Sequence, residues 1–251
     1  MTTRRVGMIS PPSWFNYCAG ELEAVHPDAV RVMNTELRLS PEFEYDLDDI
    51  RAAAGEVRRA ARALARADVD MVAQIGTPFS TVHGWRGGCE LEREIERDIR
   101  IPFEMMGLSL VRVCRDLGIE TVTVCTVYYT RDWTESYKQF LAQAGIHALY
   151  AGSFADLGVL EQITMLESCR GHELCSIATM TESVRRCCER APDAQAVLLS
   201  GIPCPQLHMI AELEAVAGRP VVSFPAVYVR VSNRLGLTGD PALGRMFALA
   251  A

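Results

Sequence analysis

The chain is 251 residues long, with 49% hydrophobic residues, 23% charged residues and a formal net charge of −7. That composition describes a globular domain, or two closely packed halves, with ample apolar material for a core. The acidic balance, a pI near 5.3 and the lack of a Lys/Arg stripe exclude nucleic acid as the main partner, without excluding a small anionic ligand.

No apolar run reaches the length of a membrane span, so no membrane association is expected. The opening Met1 to Arg5 leads into a strand rather than a secretion signal, which predicts a cytoplasmic protein. The nine cysteines form no CxxC pair, and their odd number argues against a disulfide framework. No Cys/His grouping has ligand spacing, so no metal site is expected.

Strand and helix patterns alternate along the chain. Arg5 to Ile9 reads as a first strand stopped by Ser10, Pro11 and Pro12, and Val30 to Met33 as a second. Asp46 to Ala67 reads as one long amphipathic helix, with Asp48 and Asp49 in its first turn, where the helix dipole favours them. The strand from Val69 to Ile75 ends at Gly76-Thr77-Pro78 and leads to a helix from Cys89 to Ile99 and a short strand at 101–103.

The order then repeats. A helix over 107–117 precedes a strand over 120–125, and a helix over 132–144 precedes a strand over 147–150. The segment from Gly152 to Gly171 is the least patterned and is a candidate flap. A helix over 173–190 leads to strand 196–199, which ends at Ser200-Gly201-Ile202-Pro203. A helix over 206–217 and a strand over 220–223 follow. Such alternation indicates βαβ units and parallel sheets.

The two Gly-x-Pro turns place Gly76 and Gly201 125 residues apart, about half the chain, each behind a buried strand. Open α/β sheets bind ligands at such strand ends. The expected fold is therefore α/β, in two pseudosymmetric halves, each a parallel sheet flanked by helices, with the site in the cleft between them. Residues 1–112 plus 224–251 are assigned to the first half and 113–223 to the second.

Several segments together resemble the Asp/Glu racemase superfamily, in its arylmalonate decarboxylase and maleate isomerase branch. They are Val6-Gly-Met-Ile-Ser-Pro-Pro12, Gly76-Thr77, Gly118 to Tyr128, Leu198-Leu-Ser200, Arg219-Pro-Val-Val-Ser223 and Gly244-Arg-Met-Phe247. The resemblance implies two similar halves and chemistry without metal or organic cofactor. It also implies a carboxylate held by hydroxyl and backbone donors, and a cysteine at one or both strand ends. Carried over by position, Thr77 and Tyr128 hold carboxylate oxygens, with the turn amides of Gly76 and Gly201 beside them. Where the family places its cysteines this chain has Gly76 and Gly201, and Pro78 replaces a hydroxyl residue. Gly76 alone favours the decarboxylase branch, while Gly201 removes the remaining thiol.

Cys204, between Pro203 and Pro205, is one candidate to replace it; a helix starting near Gln206 would lower its thiol pKa. The plainer reading of Cys204 is a half-buried structural cysteine. His83 is a second candidate acid/base, in a glycine-rich stretch (Gly84, Gly87, Gly88) that reads as a lid or anion loop, with Arg86 as a carboxylate clamp. The plainer reading of His83 is an exposed or capping side chain. Pro12, Asn16, Pro78, Ile202 and Glu104 complete the candidate substrate-binding set, Glu104 as a base or an internal partner of Arg86. Cys125 is expected in the core; of the adjacent tyrosines Tyr128 is expected to face the cleft, and Tyr129 to pack on a subunit or domain surface.

The expected activity is a cofactor-independent decarboxylase-type lyase acting through an enediolate on a small substituted malonate or related dicarboxylic acid. Cys204 or His83 would deliver the proton, and an apolar pocket would help expel CO₂. Three alternatives stay open: a maleate-type isomerase or racemase using Cys204, a hydratase or hydrolase, and a non-catalytic carboxylate-binding protein. Self-association is left open. Trp14, Phe15, Phe79 and Trp85 suit a sizeable apolar substituent or a subunit interface.

Overall fold

The computed structural model describes residues 3–12, 17–170 and 172–250. The first sheet contains β1 (Arg4–Ser10), β2 (Val30–Glu36), β3 (Met71–Gln74) and β4 (Phe103–Met105), in the order β2-β1-β3-β4. The second repeats it with β5 (Thr121–Thr126), β6 (His147–Ser153), β7 (Ala196–Ser200) and β8 (Val221–Val222), in the order β6-β5-β7-β8. Every neighbouring pair is parallel, with Ile9 opposite Gln74 in one sheet and Thr126 opposite Ser200 in the other.

Parallel pairing requires crossovers, and helices supply them. α1 (Tyr17–Val25) joins β1 to β2, α2 (Leu47–Ala52) and α3 (Ala54–Arg66) join β2 to β3, and α4 (Pro78–Thr81) and α5 (Gly84–Ile99) join β3 to β4. α6 (Met106–Asp116) crosses to the second sheet, where α7 (Arg131–Gln143), α8 (Met165–Arg170), α9 (Ile177–Arg190) and α10 (Ile210–Ala217) follow in turn. α11 (Ala226–Leu235) then returns to pack on α6 and β4 of the first half. β3 and β7 are buried at every residue, which is why each reads as an apolar run. α3 buries Val57, Ala60, Ala61 and Leu64, a single stripe at helical spacing.

In both sheets the crossover direction reverses between the two central strands, the place where open sheets form a binding crevice. Pro11, Pro12, Gly76 and Thr77 extend from β1 and β3 at one switch point. Val127, Tyr128, Gly201 and Ile202 extend from β5 and β7 at the other.

Some element boundaries differ from the sequence expectation for visible reasons. The helix expected over 46–67 is two, because the Ala53 N–H is shared between the carbonyls of Asp49 and Ile50, which tightens the turn there. Asp46 caps the first of them through the amides of Asp48 and Asp49. The helix expected from Cys89 begins at Gly84, so the glycine-rich lid or anion loop is helical instead. Gly88 is there for close packing, since a Cβ on it would lie 2.8 Å from the Ser80 carbonyl oxygen. The helix expected from Gln206 starts at Ile210, after a turn closed by the Met209 N–H on the Gln206 carbonyl. Among the described residues no helix is long and apolar enough to cross a membrane.

Candidate active site

At the first switch point Gly76 has φ +107°, a conformation that favours glycine, and a Cβ there would lie 3.0 Å from the Phe79 ring and 3.3 Å from Pro11. Thr77 then opens the short helix α4, with Pro78 at its first position, where a missing N–H costs no helical bond. α6 approaches closely enough that a Cβ on Gly107 would lie 2.8 Å from the Thr77 carbonyl oxygen. That carbonyl also accepts the Ser80 hydroxyl at 3.1 Å, so Thr77 is held from below.

Thr77 is buried, yet neither its N–H nor its hydroxyl bonds to any described residue. The Gly76 N–H, by contrast, is directed at the Met106 sulfur at 3.3 Å and is not presented to the cleft as the sequence reading expected.

At the second switch point Gly201 has φ +63° and lies under two tyrosines. The N–H groups of Gly201 and Ile202 find no acceptor among the described residues, although both residues are buried. An unpaired buried amide costs about 1–3 kcal/mol, so such groups at the mouth of a crevice are prepared for an anion. Tyr128 is 6% exposed, and its hydroxyl has no described partner. Burial, then the neighbouring Tyr129, Cys169 and Tyr45, push its pKa well above the usual phenol value, so it remains a donor. The Gln162 amide holds the Tyr128 carbonyl at 3.2 Å. Tyr129, expected to pack on a subunit or domain surface, is buried with its hydroxyl 3.0 Å from Ser200 Oγ.

A cavity of about 400 Å³ opens on Tyr128. Its apolar wall is Tyr45, Trp133, Ile163, Met165 and Leu166, and its rim is more polar, with Glu44, Asp46, Thr130, Gln162 and Thr164. The candidate flap thus lines the cavity, with Gln162 and the start of α8. Tyr45, from the first half, donates its hydroxyl to the Pro12 carbonyl and so ties this wall to the end of β1. It adopts φ +61°, costly for an aromatic residue and common where a site imposes its geometry. Both switch points therefore border one region: Gly76 touches Pro11, the next residue is tied to Tyr45, and Tyr45 faces Tyr128 above Gly201.

Other sequence candidates stand apart. The Cys204 thiol points at the Cys175 carbonyl oxygen, 3.8 Å away. Cys175 and burial push its pKa far upward, the reverse of the expected helix-dipole effect, because the helix begins six residues later. His83 precedes α5 and its Nε2 is buried without a described partner. Burial and Arg51 lower its pKa, so it is neutral at pH 7. Glu104 is fully buried and meets Arg112, Arg234 and Arg230 at 2.8, 3.1 and 3.5 Å. It is a lock between β4, α6 and α11 rather than a base, and its partners do not include Arg86. Arg86 lies with Trp85, Cys89, Arg93 and Gln143 in a separate surface groove. Asn16, Trp14 and Phe15 lie outside the described residues. Cys125 is in the core, as expected.

The sequence reading missed Tyr45, Glu21 and the role of Tyr129. The Glu21 carboxylate accepts the N–H groups of Gln206 and Leu207, both at 2.8 Å, and the Tyr228 hydroxyl at 3.0 Å. No local pattern announces such a contact. Among the described residues no three His, Cys, Asp or Glu side chains are grouped to hold a metal.

Paired four-stranded parallel sheets, with donors at both switch points that have no acceptor among the described residues, define a two-sheet α/β protein with a candidate anion site. The family described as arylmalonate decarboxylase matches residues 6–247, and the chain belongs to that family. It is 28% identical over 254 residues to the arylmalonate decarboxylase of Bordetella bronchiseptica, covering 98% of this chain and 97% of that one. The structure of unliganded arylmalonate decarboxylase superposes with a TM-score of 0.79 at 26% identity, covering 98% of this chain and 99% of the other. The maleate isomerase of Pseudomonas putida S16 shares the fold over the full length of both chains, with a TM-score of 0.80 at 21% identity.

Proposed function

We propose that this enzyme decarboxylates a substituted malonate or related dicarboxylic acid. The observation that carries the reading is the set of unclaimed donors at the two switch points, Thr77 with its amide and hydroxyl and the amides of Gly201 and Ile202, beside an apolar cavity. One carboxylate is held by those donors, which strengthen their hold as it becomes an enediolate; a single donor of this kind is worth about 10²–10³ in rate. The other carboxylate lies toward Tyr128 and the apolar wall of the cavity, with the Glu44 and Asp46 carboxylates at its rim. Its charge is relieved when it leaves as CO₂. The cavity wall of Tyr45, Trp133, Ile163, Met165 and Leu166 accepts the α-substituent, which favours apolar groups of moderate size.

Isomerisation through thiol addition is the weaker alternative, since it needs an accessible thiolate at a strand end. The Cys204 thiol, beside the second turn, is buried, and Cys175 and burial push its pKa far upward.

Proton NMR in D₂O with alkyl- and arylmalonates, maleate and simple α-substituted acids tests the reading. CO₂ loss with deuterium at the α-carbon is the expected result. Saturable binding across the panel with neither conversion nor exchange would leave a carboxylate-binding protein instead.

A further inference from the structure

We propose that Tyr128 delivers the proton to the substrate's α-carbon, and that Tyr129 enforces this by filling the space above Gly201 where another donor would stand. The proposal rests on the decarboxylase reading above.

The geometry of the second turn is restrictive. A Cβ on Gly201 would lie 2.5 Å from Cε1 and 3.1 Å from Cδ1 of Tyr129. That ring is fixed. Its hydroxyl is engaged with Ser200, and it packs edge-on against Tyr137 with centroids 5.9 Å apart. Position 201 therefore carries no side chain, and its positive φ excludes most residues independently.

The surrounding acids are also accounted for. The Cys204 thiol is turned to the Cys175 carbonyl, the Cys169 thiol to the Met165 sulfur, the Tyr129 hydroxyl to Ser200 and the Tyr45 hydroxyl to the Pro12 carbonyl. His83 lies against Arg51 at the start of α5. Tyr128 differs from all of them. Its Cε1 is 3.3 Å from the same built position on Gly201, it lines the cavity, and its hydroxyl has no described partner.

The step balances without a co-reactant other than water. The bond between the α-carbon and the departing carboxylate breaks, its electron pair stays on the substrate as the enediolate, and CO₂ leaves through the cavity. The Tyr128 O–H bond then breaks as the new C–H bond forms, leaving a phenolate that water at the cavity mouth reprotonates. An enediolate carbon is a far stronger base than a phenolate, so the transfer is downhill even from a buried phenol. Burial of the phenol has a second effect: the donor stays loaded across neutral and mildly alkaline pH, where a thiol of ordinary pKa would lose its proton.

The test is turnover of a prochiral α,α-disubstituted malonate by the wild-type enzyme, Tyr128→Phe and Cys204→Ala, with CO₂ release and the handedness of the product both read. Tyr128→Phe removes one oxygen that bonds to no described group, and circular dichroism verifies that the variant folds. The expected result is a KM within about threefold of wild type, a kcat lower by about 10²–10⁴-fold, and a racemic residual product protonated from solvent. Wild-type kcat is expected to be level from pH 6 to about 9, without a thiol titration. Retained kcat and handedness in Tyr128→Phe overturn the proposal, as does an equal loss in Cys204→Ala. Absence of CO₂ release by the wild type across the malonate panel removes the decarboxylase reading itself and this proposal with it. That outcome is distinct because it precedes any variant.

Discussion

The Glu21 carboxylate accepts the backbone N–H of Gln206 at 2.8 Å, across 185 residues of chain. The same oxygen takes the Leu207 N–H, so one side chain of α1 in the first half holds the segment that follows the second turn. Burial raises the pKa of Glu21 despite these three donors. Glu21→Ala strands two amides and should lower stability by about 1–3 kcal/mol, whereas Glu21→Gln keeps the accepting oxygen.

The sign of the pH effect at Glu21 follows from its raised value. Folded protein binds the proton more tightly than unfolded protein, so this contribution is complete below the ordinary value of 4.5 and is lost as pH rises through the folded value. Glutamine mimics the protonated form. The melting temperature of Glu21→Gln relative to wild type should therefore be higher at pH 8 than at pH 4.5, as thermal denaturation at the two pH values would show; an unchanged difference would contradict the burial effect.

Glu104→Gln should weaken the fold far more than the chemistry. It removes one carboxylate from each of Arg112, Arg230 and Arg234, which keep Glu92, Asp116 and Glu96, so the loss should be about 1–3 kcal/mol by urea denaturation. Activity of the remaining folded fraction should be unchanged. Loss of activity at full stability would instead make Glu104 a base.

His83→Phe should leave the activity profile of the enzyme intact, because the neutral imidazole has no described partner at Nε2. Its folded pKa is depressed, so its contribution to stability is present above the ordinary value of 6.5 and is lost as pH falls through the folded value. Wild type should lose more stability than His83→Phe on acidification below that point, and a shared decline would show that other groups dominate.

Gly201→Cys should cost about 2–5 kcal/mol, combining positive-φ strain with an overlap on the Tyr129 ring. Adding Tyr129→Ala should recover the overlap part but not the strain, giving a favourable coupling in a double-mutant cycle. Strict additivity would mean that the ring yields without cost.

Much of this was legible in the amino-acid order. β3 and β7 are buried at every residue, so they read as apolar runs, and the Gly-x-Pro patterns behind them marked the two turns. The resemblance in short segments indicated the family. What escaped was whatever depends on partners far along the chain. Gly84, Gly87 and Gly88 look like loop residues until the Ser80 carbonyl closes on Gly88, and Glu21 looks like a surface acid of α1. The expected dipole on Cys204 failed because Pro203 and Pro205 lead into a turn, with the helix delayed to Ile210. Two adjacent tyrosines suggest that only one faces the cleft and that Tyr129 packs on a subunit or domain surface, yet it is buried with its hydroxyl at Ser200.

The contact between Tyr129 and Gly201 also bears on how such an enzyme can change over generations. A glycine codon becomes a cysteine codon by one base, so in genetic terms a thiol at the second turn is a near neighbour of this sequence. In physical terms it is remote, because the ring must shrink before the new side chain has room. A lineage carrying the large ring is thereby committed to whatever donor it has recruited. The reverse order of replacements passes through an ancestor destabilised by that overlap.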